Sequence, residues 1–299
     1  MRWSSLAVCG TLIGWIAGRI LRIRRRQVED AMRRAGVESP SVEACAMYRS
    51  LGTSVCECLW LAVHGDAASH HVSIEPSSRA RWNAARAMKR GVVIAASHTG
   101  NWELAASAIA KTVELLVVVK RLGLRSLDRF WHATRARQGI VLSSGDGALV
   151  RARAVLRRGG AVAMMIDQVP VSPRHATRVG FLERPAWVDR AAAALSARTG
   201  APLVIAAARR DRSGEHVLEV LGVLVPPARA GRAWVEDAIR EATQRLDRFV
   251  RSHPSQWLWL HRRWREPRQR PFDRAVPTAT LPGPWKIPSS SPVERSGVV

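Results

Sequence analysis

The stretch VVIAASHTGNWELAASAIA (residues 92–110) is the part of the sequence that decides the fold. Residues 92–97 form a near-continuous apolar run, the mark of a central strand buried on both faces. Thr99, Gly100 and Asn101 make a turn, and each can cap a following helix. An amphipathic helical pattern then runs over 101–111. His98 stands at the carboxyl end of the strand, the edge at which open α/β sheets bind ligands. Glu103 falls in the first helical turn, where the helix dipole favours a carboxylate. On one helix, an offset of five would hold the two side chains ~140° apart. Across a strand–turn–helix junction they can meet, and a carboxylate on one imidazole nitrogen makes the other a directed base. An ordinary turn histidine beside a helix-start glutamate is the alternative.

Working outward, strand-like runs recur at 114–119, 139–142, 161–166, 202–208 and 216–224. Helical patterns lie between them at 125–137, 146–158 and 187–199, and another follows at 233–251. Short apolar strands alternating with amphipathic helices predict an α/β fold with a mostly parallel central sheet flanked by helices. Ahead of the sheet, residues 25–63 read as helical with breakers at Gly36 and Pro40, and 77–89 give a further helix. The segment 267–299 is rich in proline and serine and reads as a disordered tail. No internal repeat is visible. The expected organisation is an N-terminal anchor (1–21), one catalytic domain (22–266) and the tail (267–299).

The chain has 299 residues and 47% hydrophobic content, enough to bury a core. Its 47 Lys+Arg against 24 Asp+Glu give a formal charge of +23, carried almost wholly by arginine. Such an excess suits a polyanionic partner: nucleic acid, anionic lipid headgroups or an acidic carrier protein. A general preference for arginine over lysine is the plain alternative. The cysteines, Cys9, Cys45, Cys56 and Cys58, form neither a zinc-site spacing nor a disulfide framework, which fits a reducing compartment. No metal-ligand spacing is present, so neither a metal nor a cofactor is expected.

Residues 3–18 carry no charge, and Arg19, Arg22, Arg24, Arg25 and Arg26 follow. Sixteen uncharged residues fall just short of the roughly 17–25 that a spanning helix needs. Because the positive charge follows the apolar run, a secretory signal fits poorly. A short anchor or an interfacial helix fits better, with the rest of the chain on the cytoplasmic side. Twelve tryptophans against one tyrosine and four phenylalanines also suit a membrane interface. Near the end, Trp257, Trp259, Arg262 and Arg263 form an aromatic and basic run. It could stack nucleic acid, sit at headgroup depth, or pack a core with a solvated basic end. The apolar N-terminus favours the membrane, and no nucleic-acid-binding signature is found.

His98-Thr99-Gly100-Asn101-Trp102-Glu103 resembles the H-x4-D/E box of glycerolipid acyltransferases, in the form found in the bacterial lipid A biosynthesis (lauroyl/myristoyl) acyltransferase family. The likeness runs to about residue 266. It includes Asp167-Gln168 after an apolar strand, Arg198-Thr199-Gly200-Ala201-Pro202, and the segment from His253 to His261. The resemblance implies that His98 is the general base and that Glu103 orients it. The acceptor hydroxyl then attacks an acyl thioester without an acyl-enzyme. Ser97 as a nucleophile is disfavoured, because the Gly-x-Ser-x-Gly elbow is absent. Backbone N–H groups near Gly100–Trp102 would supply an oxyanion hole. Arg135, Asp167, Arg174, Asn101 and Gly100 are implied substrate contacts; Arg137 is an alternative alignment for Arg135, and Ser172 replaces the usual glycine near Arg174.

The same resemblance implies an acyl carrier protein or acyl-CoA donor and a glycolipid acceptor, with a lipid A precursor foremost. The setting would be the cytoplasmic face of the inner membrane. The same chemistry on a lysophospholipid, a phosphatidylinositol mannoside or an ornithine-type lipid is the nearest alternative, and a non-catalytic basic binding protein the next. Three features depart from the family pattern: KRLGLRSLDRF (120–130), GFLERPAWVDR (180–190) and the added tail.

Overall fold

The structure, a computed structural model, describes residues 3–65, 71–119, 125–145 and 147–267. The expected tail, from residue 268 onward, and residues 120–124 of KRLGLRSLDRF lie outside the described residues.

The chain opens with helix α1 (Trp3–Trp15), which continues as a π-helical turn over Ile16–Ile20. Helices α2 (Arg25–Arg34) and α3 (Pro40–His64) follow, separated near Gly36 and Pro40 as the breakers predict. α1 lies against α3 through Gly10, Gly14 and Gly18, which face Gly52, Thr53 and Tyr48. A Cβ on Gly14 would stand 2.1 Å from the Tyr48 carbonyl oxygen, so only glycine permits this crossing. The opposite face of the pair is apolar and open: Val8 on α1 is 72% exposed and Val63 on α3 is 78% exposed. Among the described residues no single helix is long and apolar enough to cross a membrane. Ser5–Ile20 and Arg25–Arg34 reach that length and composition only together, and they bend by 89°. The segment expected as an anchor is an apolar helix that packs on α3.

Seven strands form the main sheet: β1 (Val72–Ile74), β2 (Val92–Ala96), β3 (Leu115–Val118), β4 (Ile140–Ser143), β5 (Ala161–Met165), β8 (Leu203–Arg210) and β9 (His216–Leu224). Their order is β1-β9-β8-β2-β5-β3-β4. Every neighbouring pair is parallel except β8 with β9, as the alternating pattern predicts. Helices α4 (Pro76–Ala87), α5 (Trp102–Ala110), α6 (Arg125–Arg137), α7 (Ala148–Arg157), α8 (Ala191–Thr199) and α9 (Arg232–Ser252) connect and cover the strands. One apolar core joins α2, α3, α8 and α9 to the sheet, and a second joins α4 and α5 to it.

The helix expected over 187–199 begins later. Its first residues belong to an antiparallel hairpin, β6 (Ala176–Phe181) and β7 (Arg184–Asp189). Ala186 and Val188 are buried at alternate positions, a period of two that only a strand satisfies. The turn residues Leu182 and Glu183 both take left-handed φ (50° and 63°), an uncommon choice for such side chains. Asp247 of α9 holds the turn by accepting the Leu182 N–H.

Candidate active site

Two elements position His98. Strand β2 ends at Ala96, and its neighbour β5 ends at Met165 in register with it. Two residues beyond that register pair, His98 and Asp167 meet at the carboxyl edge of the sheet. His98 Nδ1–H donates to Asp167 Oδ1 at 2.8 Å. Asp167 Oδ2 accepts the His98 backbone N–H at 2.7 Å and Trp257 Nε1–H at 2.9 Å. Asp167 is buried. Burial alone would push its carboxyl up. The charge of His98, the bond from its ring and the charge of His261 outweigh burial and hold the carboxyl well below the usual carboxylate range. An ionised Asp167 fixes the tautomer and leaves the Nε2 lone pair of His98 outward. Gln168 Nε2–H lies 3.2 Å from that nitrogen.

The expectation that Glu103 orients His98 is therefore corrected. Glu103 turns toward the last turn of α6, where Arg135 meets it with both prongs, Nε–Oε2 at 2.9 Å and Nη2–Oε1 at 2.5 Å. The fork geometry of guanidinium matches a carboxylate better than one imidazole nitrogen does. Glu103 also accepts from Trp102 Nε1 at 3.2 Å. Arg135, rather than Arg137, faces the site; Arg137 donates to the Ala62 carbonyl at 3.2 Å. Asp167, expected as a substrate contact, is the partner of the histidine instead.

The turn between His98 and α5 is clamped from three sides. From the segment after α9, the Gln256 carbonyl accepts Gly100 N–H at 2.7 Å, and Leu258 N–H donates to the His98 carbonyl at 3.0 Å. From β8, Ala208 N–H donates to Thr99 Oγ1 at 3.1 Å. Gly100 has φ +54°, and a Cβ there would stand 2.7 Å from the Ala208 carbonyl oxygen. From α3, Glu57 accepts the Asn101 amide at 2.9 Å. Asn101 is the residue that caps α5, accepting Leu104 N–H at 3.2 Å. Gly100 and Asn101 are buried and do not line the cleft, so they support the turn rather than touch substrate. The Gly100 N–H, expected as an oxyanion donor, is already taken by Gln256. Ser97 is buried, and its hydroxyl is bonded to Thr99 Oγ1 at 3.0 Å rather than to a histidine.

Glu57 escaped the sequence reading. It sits in the buried face of α3, where Arg210 grips it with two nitrogens and His216 Nε2 lies 3.1 Å away. Burial would raise its carboxyl, but the bonds from Arg210 and His216 and their charge lower it to about 2. A signal was present: Glu57 is the one acidic or basic side chain between Arg49 and His64.

The C-terminal run also differs from expectation. Trp257 and Trp259 are each 1% exposed and lie in the core, with ring centroids 4.8 Å apart. Arg263 is equally buried; it donates to the Trp187 carbonyl and lies 5.5 Å from the Phe181 ring. Its removal from water pulls its guanidinium down to about 10. The membrane-interface reading of Trp257, Trp259 and Arg263 is thereby overturned. Only Arg262 of the four is exposed. Arg174 lies on an exposed 3-10 turn away from the cleft lining, and its carbonyl accepts from Arg190 at 2.7 Å.

A cleft of about 380 Å³ opens at His98. Its mouth carries His98, Trp102, Glu103, Arg135 and Gln168, while Ile94, Ala105, Ile109, Val117, Met164 and Leu218 give it apolar walls. A directed base at one end of an apolar cleft can deprotonate a bound hydroxyl beside a hydrocarbon chain.

A comparison with curated protein sequences returned no match. The sequence pattern of the bacterial lipid A biosynthesis acyltransferases matches residues 2–266, nearly nine-tenths of the chain and all of the strands just described. The chain therefore belongs to the bacterial lipid A biosynthesis acyltransferase family and is an acyltransferase.

Proposed function

We propose that the protein moves a fatty acyl chain from a thioester, on acyl carrier protein or coenzyme A, to a hydroxyl of a lipid A precursor. The observation that carries this reading is the His98–Asp167 pair at the mouth of an apolar cleft. The acceptor hydroxyl takes the place of the Gln168 amide at His98 Nε2. As its oxygen attacks the thioester carbonyl, the proton passes to Nε2 and Asp167 stabilises the imidazolium. The tetrahedral intermediate collapses, the C–S bond breaks, and the thiolate recovers the proton from Nε2. Gln168, once displaced from Nε2, can donate its amide N–H to the developing oxyanion. Glu103 holds Arg135 across the mouth, where a guanidinium suits the phosphate of donor or acceptor.

The site of action is the cytoplasmic face of the inner membrane. The open apolar face of α1 and α3 and the arginines after α1 support it. The strong positive charge suits both an acidic carrier protein and an anionic acceptor.

Membranes holding the wild type or His98→Ala, given acyl-acyl carrier protein and a tetra-acylated lipid A precursor, test the reading by mass spectrometry. The expected result is a mass gain of one acyl chain with the wild type and none with the variant. Gain only on a lysolipid panel with acyl-CoA would keep the chemistry and replace the acceptor. No gain on any acceptor would remove His98 from catalysis.

A further inference from the structure

The arginines that follow α1 divide into two groups. Arg25 turns inward, donating to the Gly18 carbonyl at 3.1 Å and to Glu29 at 2.8 Å. Arg22, Arg24 and Arg26 are exposed, and so is Arg262 from the far end of the domain. None of these four is paired with a carboxylate among the described residues. Arg24 and Arg262 nevertheless have fixed places. Arg24 Nη1 donates to the Leu260 carbonyl at 3.2 Å, and Gln27 Nε2 donates to the same oxygen at 3.4 Å. Gln27 Oε1 accepts Arg262 Nε at 3.3 Å. One glutamine thus joins two guanidinium groups that lie 238 positions apart in the chain.

This cluster borders the reacting centre. Leu260 precedes His261, whose ring centroid lies 4.9 Å from that of His98. Arg22 and Arg24 adopt left-handed φ of 48° and 55°, a conformation that side-chain-bearing residues rarely take. Such strain is found where local geometry serves a function. Ile20 and Leu21 stand exposed just before Arg22, and Ile23 between Arg22 and Arg24. Apolar side chains interleaved with unneutralised guanidinium groups match a lipid at headgroup depth, with hydrocarbon against the isoleucines and phosphate against the arginine forks.

We propose that Arg24 and Arg262, flanked by Arg22 and Arg26, bind the phosphorylated headgroup of the acceptor lipid and hold its hydroxyl beside His98. The word acceptor rests on the acyl-transfer reading; the phosphate site itself does not. Free phosphate shares this chemistry, but the exposed Ile20, Leu21 and Ile23 point to the lipid.

The test uses the full chain and phosphatidylcholine vesicles with or without phosphatidic acid. Arg24→Gln/Arg262→Gln is compared with Arg153→Gln/Arg157→Gln on α7, exposed arginines whose loss changes net charge equally. The first pair is expected to weaken binding to phosphatidic acid vesicles about 25-fold, roughly fivefold per arginine. The second pair should weaken it far less. Equal loss in both pairs would overturn the site, leaving only general surface charge. Displacement of the protein from vesicles by inorganic phosphate alone would overturn the lipid assignment. In acyl transfer, the first pair should also erase the preference in kcat/KM for a phosphorylated over a dephosphorylated acceptor. An unchanged preference would overturn the placement beside His98. If the wild type acylates neither acceptor, the function proposed above falls, while the vesicle comparison still decides the phosphate site.

Discussion

Among the described residues two buried carboxylates pair with histidines, and both bond the same turn: Asp167 at His98 and Glu57 at Asn101. Asp167 pairs with His98 and Glu57 pairs with His216. Both are held ionised against the cost of burial. They differ in access. The His98 side chain is 14% exposed and lines the cleft, whereas His216 is 1% exposed and its ring bonds Glu57 and Arg210. On the mechanism proposed above, a histidine–carboxylate pair serves as a reaction centre only where the second ring nitrogen can meet substrate. Where both partners are sealed, the same chemistry holds elements together, here α3, β8 and β9.

The largest test of this contrast compares Asp167→Asn with His216→Gln. Asp167→Asn removes the anion that orients His98, so kcat should fall by about 10²–10⁴-fold. His216→Gln should leave kcat in the wild-type range while lowering Tm. Initial rates of acyl transfer beside thermal melts separate the two effects. An equal loss of activity in both variants would mean that access does not distinguish the pairs.

Stability sharpens the comparison from the other side. Glu57→Leu leaves the partly buried Arg210 without its anion and should cost up to about 3 kcal/mol in urea unfolding. Adding Arg210→Met should recover much of that loss, because the uncompensated charge is gone. If the double variant is no more stable than Glu57→Leu alone, the arginine is not the source of the cost.

The same carboxylate sets an acid limb. Its pKa is lowered from 4.5 to about 2, so its contribution is fully present above about pH 4.5 and is lost as pH falls towards 2. The shift corresponds to on the order of 3 kcal/mol. Asp167 is lowered as well and acts in the same direction. Tm measured across that window should drop in the wild type and drop less in Glu57→Gln. Parallel curves would show that other groups carry the acid limb.

Much of this arrangement was legible in the sequence, and the reason is local. The run 92–97, the turn and the helix after it are each specified by neighbouring residues, as are α6, α7 and α9. His98 at the sheet edge follows from that local pattern alone. Its partner does not. Asp167 lies 69 residues away, and only the strand order brings β5 beside β2. Glu103 was the nearer carboxylate, but Arg135 offered it two donors. The β6–β7 hairpin was missed because its turn carries leucine and glutamate where glycine or asparagine would have marked it. The tryptophans near the C-terminus misled because composition tells what a side chain can do, not which side of the chain it faces.

Those tryptophans give the smallest and most local test. Trp257 and Trp259 have the same burial, and each donates its indole N–H once. Trp257 donates to the Asp167 carboxylate at 2.9 Å; Trp259 donates to the neutral Pro254 carbonyl at 2.7 Å. Replacing either with phenylalanine removes similar ring area, so the difference between the variants isolates the acceptor's charge. A bond to a charged group contributes about 1.5–3 kcal/mol and a neutral one about 0.5–1.5. Trp257→Phe should therefore be less stable than Trp259→Phe by about 1 kcal/mol in urea unfolding. It should also slow acyl transfer, because Asp167 Oδ2 then keeps only the His98 backbone N–H. Trp259→Phe should leave the rate nearly unchanged, since its indole N–H is given to the Pro254 carbonyl and not to Asp167. Equal stabilities with equal rates would mean that the Asp167 carboxylate is held by His98 alone, and that the tryptophan beneath it is only packing.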